Sequence, residues 1–346
     1  MKSAVVVHPN FDTVWPFAAN HLHRMWSSQG DTQLIRLLTG GEEKLGEVVP
    51  SPAEIARLAV LGVDITRDCL GAFTSLKEAA ICTDGYNEEL EPEIRDAWER
   101  AGVQIYKHPS EGFWGQSVSE FGLALTLCGL RRIPQSHHAI ISSLAPWDYN
   151  PPGNMGMPET RGHQFGDDPN FTNGTVFGKK VRIVGAGNIA SRYASFVSML
   201  GAEAAAWDPF ASEPSFHRAG ARKVWHLDEL VKDADIFVPM VPLTANTQGI
   251  INADHIRALP KGCLVVLATR ALICDMAAVR ERVLADEISL AADVFDIEPL
   301  PLDDPLLGRH NVVHTPHNAG RTIHANEQWA EMLMAQFRPV HSIKTS

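Results

Sequence analysis

Only five cysteines occur in 346 residues, Cys69, Cys82, Cys128, Cys263 and Cys274, and no two of them form a CxxC pair. Neither a zinc site nor a disulfide framework is indicated; the thiols read as reduced, mostly buried side chains of a cytoplasmic protein. Positive charge is also scarce. The formal net charge is −11 and no basic run appears, which counts against a nucleic-acid partner, because phosphate backbones are held by clustered Lys and Arg. No apolar run is long enough to cross a bilayer. The pairs His21/His23 and His137/His138 lack the spacing of a metal site, so no metal is expected. The opening "MKSAVVVHPN" has one lysine and a short apolar run ended by His-Pro, and reads as a first β-strand rather than a signal peptide.

With 45% hydrophobic and 21% charged residues, the chain has a globular composition, and its length suggests two units. Short β-branched runs alternate with helical patterns almost throughout, the mark of parallel sheets with crossover helices. In the first third, strands are expected at "AVVVHP", "TQLIRLL", "AAICTDG" and "VQIYKHP". A helix is expected over Pro92 to Arg100, ended by Gly102. "SVSEFGLALTLCGL", from Ser117, predicts a long apolar helix, continued by "QSHHAIISSL" after a break at Pro134. Ala145 to Gly178 is dense in Pro, Gly, Asn and Asp and reads as a long loop, with function, an interface or a surface excursion all open. From Lys179 the alternation resumes, with strands at "VRIVG", "EAAAWD", "DIFVPMV", "CLVVLAT", "SLAADVF" and "NVVHT". "HANEQWAEMLMAQF" forms a last helix.

The strongest local signal is "VRIVGAGNIASRYASFVSMLGAEAAAWDP". A strand runs into Gly185-x-Gly187-x-x-Ala190, a helix follows, and a second strand ends at Asp208. Gly185 permits the tight turn, Gly187 lets the backbone approach a pyrophosphate, and Ala190 allows close packing of helix on strand. The helix N-terminus, beginning at Asn188 and Ile189, then receives the phosphates. Asp208 is placed to accept from the adenosine ribose hydroxyls and to repel a 2′-phosphate. That favours NAD over NADP, with Arg218, Arg222 and Lys223 the residues through which NADP would still be met.

Downstream, Arg270, Glu298 and His317 follow three expected strands, where ligand crevices form in open parallel sheets. Here the chain resembles the D-isomer-specific 2-hydroxyacid dehydrogenase family. "VPLTANTQGIIN" is similar to its Pro-Leu-Thr stretch, "DVFDIEPL" to its Asp-Val-Phe…Glu-Pro motif, "TPHNAG" to its Thr-Pro-His-x-Ala-Gly, and "SVSE" to the opening of its cofactor domain.

The resemblance implies that Arg270 holds the substrate carboxylate and polarises the keto group, a task suited to a planar bidentate donor. His317 is implied as proton donor to the carbonyl oxygen and as acceptor in reverse. Glu298 is its partner, orienting the ring and favouring its charged form. Asp293 is implied as a contact of the nicotinamide amide, with the Val241–Leu243 turn, Pro242 in particular, and Thr247 as further cofactor contacts. Thr269 and Gly320, beside Arg270 and His317, are expected in the same site. His314, within the strand before His317, reads as structural.

Two departures from the family pattern bear on the substrate. Ala271 follows Arg270 where the family has Gly, and "TDGYNE" near Thr83 to Glu88 replaces its glycine-rich substrate loop. Phe11, Phe113 and Trp114 stand at strand ends, where they either shape an enlarged pocket or pack the domains.

The expectation is therefore two doubly wound α/β domains with a cleft between them. The NAD-binding Rossmann domain takes residues 115–316, and a flavodoxin-like, discontinuous substrate domain takes 1–114 and 317–346. The expected activity interconverts a 2-keto acid and a D-2-hydroxy acid in a homodimer. Two alternatives stand beside it: a dehydrogenase of the same fold for formate or a phosphorylated hydroxy acid, and an NAD-sensing, corepressor-like binding protein.

Overall fold

Two parallel sheets organise the computed structural model, which describes residues 2–38, 43–82, 90–109, 113–147, 159 and 166–339. The chain divides into a unit of Met1–Phe113 with Arg321–Ser346 and a unit of Trp114–Gly320.

In the first unit, β1 (Lys2–Val7), β2 (Thr32–Arg36), β3 (Ile55–Leu61), β4 (Glu78–Cys82) and β5 (Gln104–Tyr106) pair in parallel in the order β2-β1-β3-β4-β5. This is the flavodoxin-like order. Strands β1, β3 and β4 are buried over nearly their whole length, as strands covered on both faces must be. β3, the central strand, is the one the sequence reading omits. Its "IARLAVL" is rich in the helix formers Ala and Leu, and Arg57 interrupts the apolar run. Folding resolves that interruption by pairing Arg57, only 2% exposed, with Glu78 of β4 at 3.1 Å and laying its guanidinium over the Trp26 and Phe337 rings.

Helices run over Ala18–Ser27, Pro92–Arg100 and Ile323–Met334. The last begins at Thr322, whose hydroxyl accepts from the Ala325 amide. Phe11 and Phe113 are buried here, the first edge-on to Trp329 and the second edge-on to Trp15. Both are thus core aromatics of this unit. The "TDGYNE" segment lies outside the described residues, as do 148–158 and 160–165 of the long loop.

In the second unit, seven strands pair in parallel: β6 (Lys180–Val184), β7 (Glu203–Trp207), β8 (Arg222–Lys223), β9 (Ile236–Pro239), β10 (Leu264–Leu267), β11 (Ser289–Ala292) and β12 (Val312–His314). Their order, β12-β11-β10-β9-β6-β7-β8, reverses direction between β6 and β9, the Rossmann arrangement with its ligand crevice at that switch point. β8, an edge strand of two residues, was too short to carry a pattern. Two apolar clusters, one containing Leu267 and Ile273 and the other Ile183 and Tyr193, make up its core.

The apolar helix spans Gly115–Arg131, and the break falls at Arg132, which adopts a left-handed φ of 51°. Pro134, expected to cause the break, instead sits in the first turn of the helix Ile133–Ser142, where its missing N–H costs nothing. His317 to Gly320 stay with this unit. The chain leaves it four residues later than expected because the Asp293 carboxylate binds the backbone of Asn318 and Ala319.

Candidate active site

The glycine-rich turn is set by two glycines that are required for different reasons. Gly185 has φ 114°, and a Cβ there would lie 2.9 Å from the Met240 carbonyl oxygen, so the turn between β6 and the end of β9 admits no side chain. At Gly187 a Cβ would meet nothing within 4 Å. The space kept open at Gly187 faces no protein atom, as an approaching phosphate requires. The helix Asn188–Met199 starts there without a side-chain cap, leaving first-turn amides for an anion. Asn188 is held from both sides: its Oδ1 accepts from Arg192 Nε at 3.0 Å, and a Cβ on Gly115 would lie 2.6 Å from its Nδ2. Ala190 is 1% exposed against the sheet.

Asp208, after β7, ties this turn together. One carboxylate oxygen accepts from the Ala186 amide at 2.8 Å, and the other from Phe210 and Ala211 at 2.9 and 3.1 Å. A carboxylate offers about four acceptor positions, so one remains for a ribose hydroxyl. Lys223, a residue through which NADP would be met, lies over the Phe216 and Trp225 rings with Glu213 3.8 Å away. These features fit a dinucleotide without a 2′-phosphate.

At the end of β9, the Thr247 hydroxyl donates to the Pro242 carbonyl and accepts from the Thr244 amide. It closes its own turn and so fixes the Val241–Leu243 segment. Thr269 donates to the Pro239 carbonyl at 3.3 Å. Arg270 follows with its side chain exposed and one Nη donating to the Thr269 carbonyl at 2.7 Å. The extra carbon of Ala271 is 4% exposed within an apolar cluster, so the departure from Gly there fills the core.

His317 Nδ1 lies 2.6 Å from Glu298 Oε2, and the other oxygen of Glu298 accepts from the Phe295 amide at 2.8 Å. Both side chains are partly exposed, 43% and 35%. The ring's second nitrogen, Nε2, is thereby the one available for proton transfer. His317 has φ 54°, a left-handed conformation that costs a non-glycine residue about 1–2 kcal/mol.

Asp293 holds His317 in that conformation. Its side chain is 0% exposed and accepts from Thr315 Oγ1 at 2.6 Å, Asn318 N at 3.1 Å and Ala319 N at 2.8 Å. Asp293 thus forms an anchor beneath the His317 turn. Gly320 ends that turn beside Val118 and Trp114. His314 pairs with Ala292 through the backbone, and its exposed ring makes no hydrogen bond among the described residues.

Asp296 and Asp304, which bracket Glu298 in sequence, both pair with Arg280, and none of the three is among the residues expected in the site. The available signal was the pair of acids flanking Glu298 on either side of a proline-rich segment.

Comparison with known proteins places this geometry. Residues 154–319 match the family model described as "D-isomer specific 2-hydroxyacid dehydrogenase, NAD binding domain". The D-3-phosphoglycerate dehydrogenase of Methanocaldococcus jannaschii is 26% identical over 283 residues, covering 81% of this chain and 48% of that protein. The glyoxylate reductase of Korarchaeum cryptofilum is 25% identical over 279 residues, covering 80% and 77%. The NAD-complexed D-isomer specific 2-hydroxyacid dehydrogenase of Lactobacillus delbrueckii ssp. bulgaricus superposes with a TM-score of 0.65 at 17% identity, covering 97% of this chain and 95% of that one, and shares the fold. The chain spans about half or less of the length of the first curated relatives it matches. Over residues 154–319 the chain is thus similar to the NAD-binding domain of the D-isomer-specific 2-hydroxyacid dehydrogenases.

Proposed function

We propose that the protein is an NAD-dependent dehydrogenase that interconverts a 2-keto acid and a D-2-hydroxy acid. The observation that carries this reading is the His317–Glu298 pair at 2.6 Å, presented at the strand ends of an NAD-binding fold. Bound NADH supplies the hydride to the carbonyl carbon. His317 gives a proton from Nε2 to the carbonyl oxygen, and takes it back in oxidation. Glu298 accepts from Nδ1, fixes the ring, and balances the charge of the imidazolium. Arg270 presents a planar guanidinium from an exposed position and receives the substrate carboxylate.

A panel of 2-keto acids with NADH and NADPH tests the reading, and it should include glyoxylate and the phosphorylated substrate of the phosphoglycerate dehydrogenases. NADH should be consumed with at least one substrate, faster than NADPH, and His317→Ala should lower kcat by about 10²–10⁴-fold. Tight NADH binding without turnover across the panel would refute it in favour of a sensor.

We also infer a cytoplasmic homodimer. The helix Ile133–Ser142 buries none of its residues, and Ile133, Ile140, Ile141, Leu144 and Trp147 are exposed, an apolar surface suited to a second copy. The free thiols of Cys69, Cys82, Cys128, Cys263 and Cys274 suit a reducing compartment. A monomeric mass by light scattering would reject the dimer.

A further inference from the structure

We propose that Arg280 is a positioning residue for the His317–Glu298 pair. The segment from Asp293 to Leu306 carries Glu298 and contains no helix or strand. Its ends are fixed by burial, with Asp293, Val294 and Leu306 each at most 2% exposed. Between them, Phe295 packs partly buried against the apolar cluster, but Ile297 and Leu302 are 56% and 97% exposed, so apolar packing alone does not fix the place of Glu298. A catalytic group has to be held to within about 0.5 Å, and polar contacts must therefore supply the restraint.

Arg280 supplies it from the helix Met276–Leu284. Its Nε and one Nη grip both oxygens of Asp296 at 2.8 to 3.2 Å, while the other Nη grips both oxygens of Asp304 at 3.0 and 2.9 Å. Asp304 in turn accepts from the Leu306 amide at 2.9 Å. One guanidinium thus ties together two acids on either side of Glu298, two residues before it and six after. The three side chains are 17%, 23% and 7% exposed, so solvent screens the clamp only in part. A planar fork meets two carboxylates at once; an ammonium is a point charge and cannot reproduce both bidentate contacts. Without Arg280, Asp296 and Asp304 are left as neighbouring like charges, and the loop they bracket opens.

The effect on Glu298 reaches His317 as a change of tautomer. With Glu298 accepting from Nδ1–H, the neutral ring carries its proton on Nδ1; once that bond is loosened, the Nε2–H form appears beside it.

The inference rests on the dehydrogenase reading only for its kinetic consequence, so two measurements are paired. In ¹⁵N spectra of the ligand-free protein, Arg280→Ala should shift the His317 ring signals from the Nδ1–H pattern towards those of Glu298→Gln. In steady-state kinetics it should lower kcat by about tenfold or more, leaving the Kd for NADH within about twofold, since a misplacement near 1 Å can cost about 10². Arg280→Lys should recover part of the rate, and in the Glu298→Gln background Arg280→Ala should add less than about twofold.

A lower Tm with unchanged His317 signals, or full losses in both backgrounds, would overturn the proposal. If the wild type turns over no 2-keto acid, the dehydrogenase reading fails and the ring signals still judge Arg280. Should Arg280→Ala not fold, Asp296→Asn frees one end of the clamp and is held to the same two outcomes.

Discussion

Replacing Asp293 by Asn separates the anchoring role seen here from direct contact with nicotinamide. The carboxylate is fully buried and accepts three hydrogen bonds, two of them from the backbone of the His317 turn. An amide of the same shape keeps one acceptor oxygen and turns an NH₂ towards a donor, so at least one buried N–H loses its partner. Loss of a bond to a charged acceptor, with a donor left unsatisfied, costs about 1–3 kcal/mol. The left-handed strain at His317, about 1–2 kcal/mol, is then held less firmly, and the turn relaxes. For a unit of this size, about 2–4 °C is lost per kcal/mol, so the loss of about 1–3 kcal/mol should lower Tm by roughly 2–12 °C when NADH is absent. NADH affinity, measured by fluorescence titration, should change little, whereas kcat should fall by about tenfold or more as His317 leaves its place. A direct contact predicts the reverse: unchanged Tm and weakened NADH binding. That pair of results would refute the anchor.

The two glycines of the cofactor turn should respond differently. Gly185→Ala meets the Met240 carbonyl at φ 114° and should destabilise the unit by about 1–3 kcal/mol, whereas Gly187→Ala should leave Tm nearly unchanged and weaken NADH binding, which calorimetry on both variants would show. Stability should also fall in acid through Asp233, whose carboxyl is held at about 2 by its hydrogen bonds to Arg182, with Lys180 assisting, against an ordinary 3.8. Its contribution is complete above 3.8 and lost as pH falls towards 2. Urea unfolding at successive pH values should show a smaller acid loss in Arg182→Met, and an equal loss would reject the assignment.

What the sequence revealed and what it hid have a common physical basis. The strands of the cofactor unit were legible because they are buried on both faces and bounded by Gly, Pro or Asp, as "CLVVLAT" and "SLAADVF" illustrate. Gly185, Gly187 and the His317–Glu298 pair were legible because their chemistry constrains residue type and order. β3 was not, since the meaning of Arg57 depends on Glu78 in another strand and on two rings further away in sequence. Arg280 was hidden for the same reason: an arginine on a helix reads as a solvated cation until the loop that returns beside it supplies Asp296 and Asp304. Asp293 was recognised as a strand-end acid, but the sequence could not say whether its carboxylate turned towards the crevice or beneath the loop.

These contacts bear on how partly exposed groups can be placed with the accuracy that proton transfer needs. His317 and Glu298 are 43% and 35% exposed, and an exposed ion pair by itself is worth only about 0–1 kcal/mol, too little to fix two side chains. Their own attraction therefore cannot be the source of the geometry. It comes from groups that are shielded: Asp293 beneath the histidine turn, with three donors on one carboxylate, and Arg280 beside the glutamate loop, with two carboxylates on one guanidinium. Each anchor acts on backbone or on a neighbouring side chain and makes no hydrogen bond to His317 Nε2, the nitrogen proposed to exchange the proton. Weakening either anchor should therefore slow the proton step more than it weakens cofactor binding, since the glycine-rich turn and Asp208 are fixed by contacts of their own.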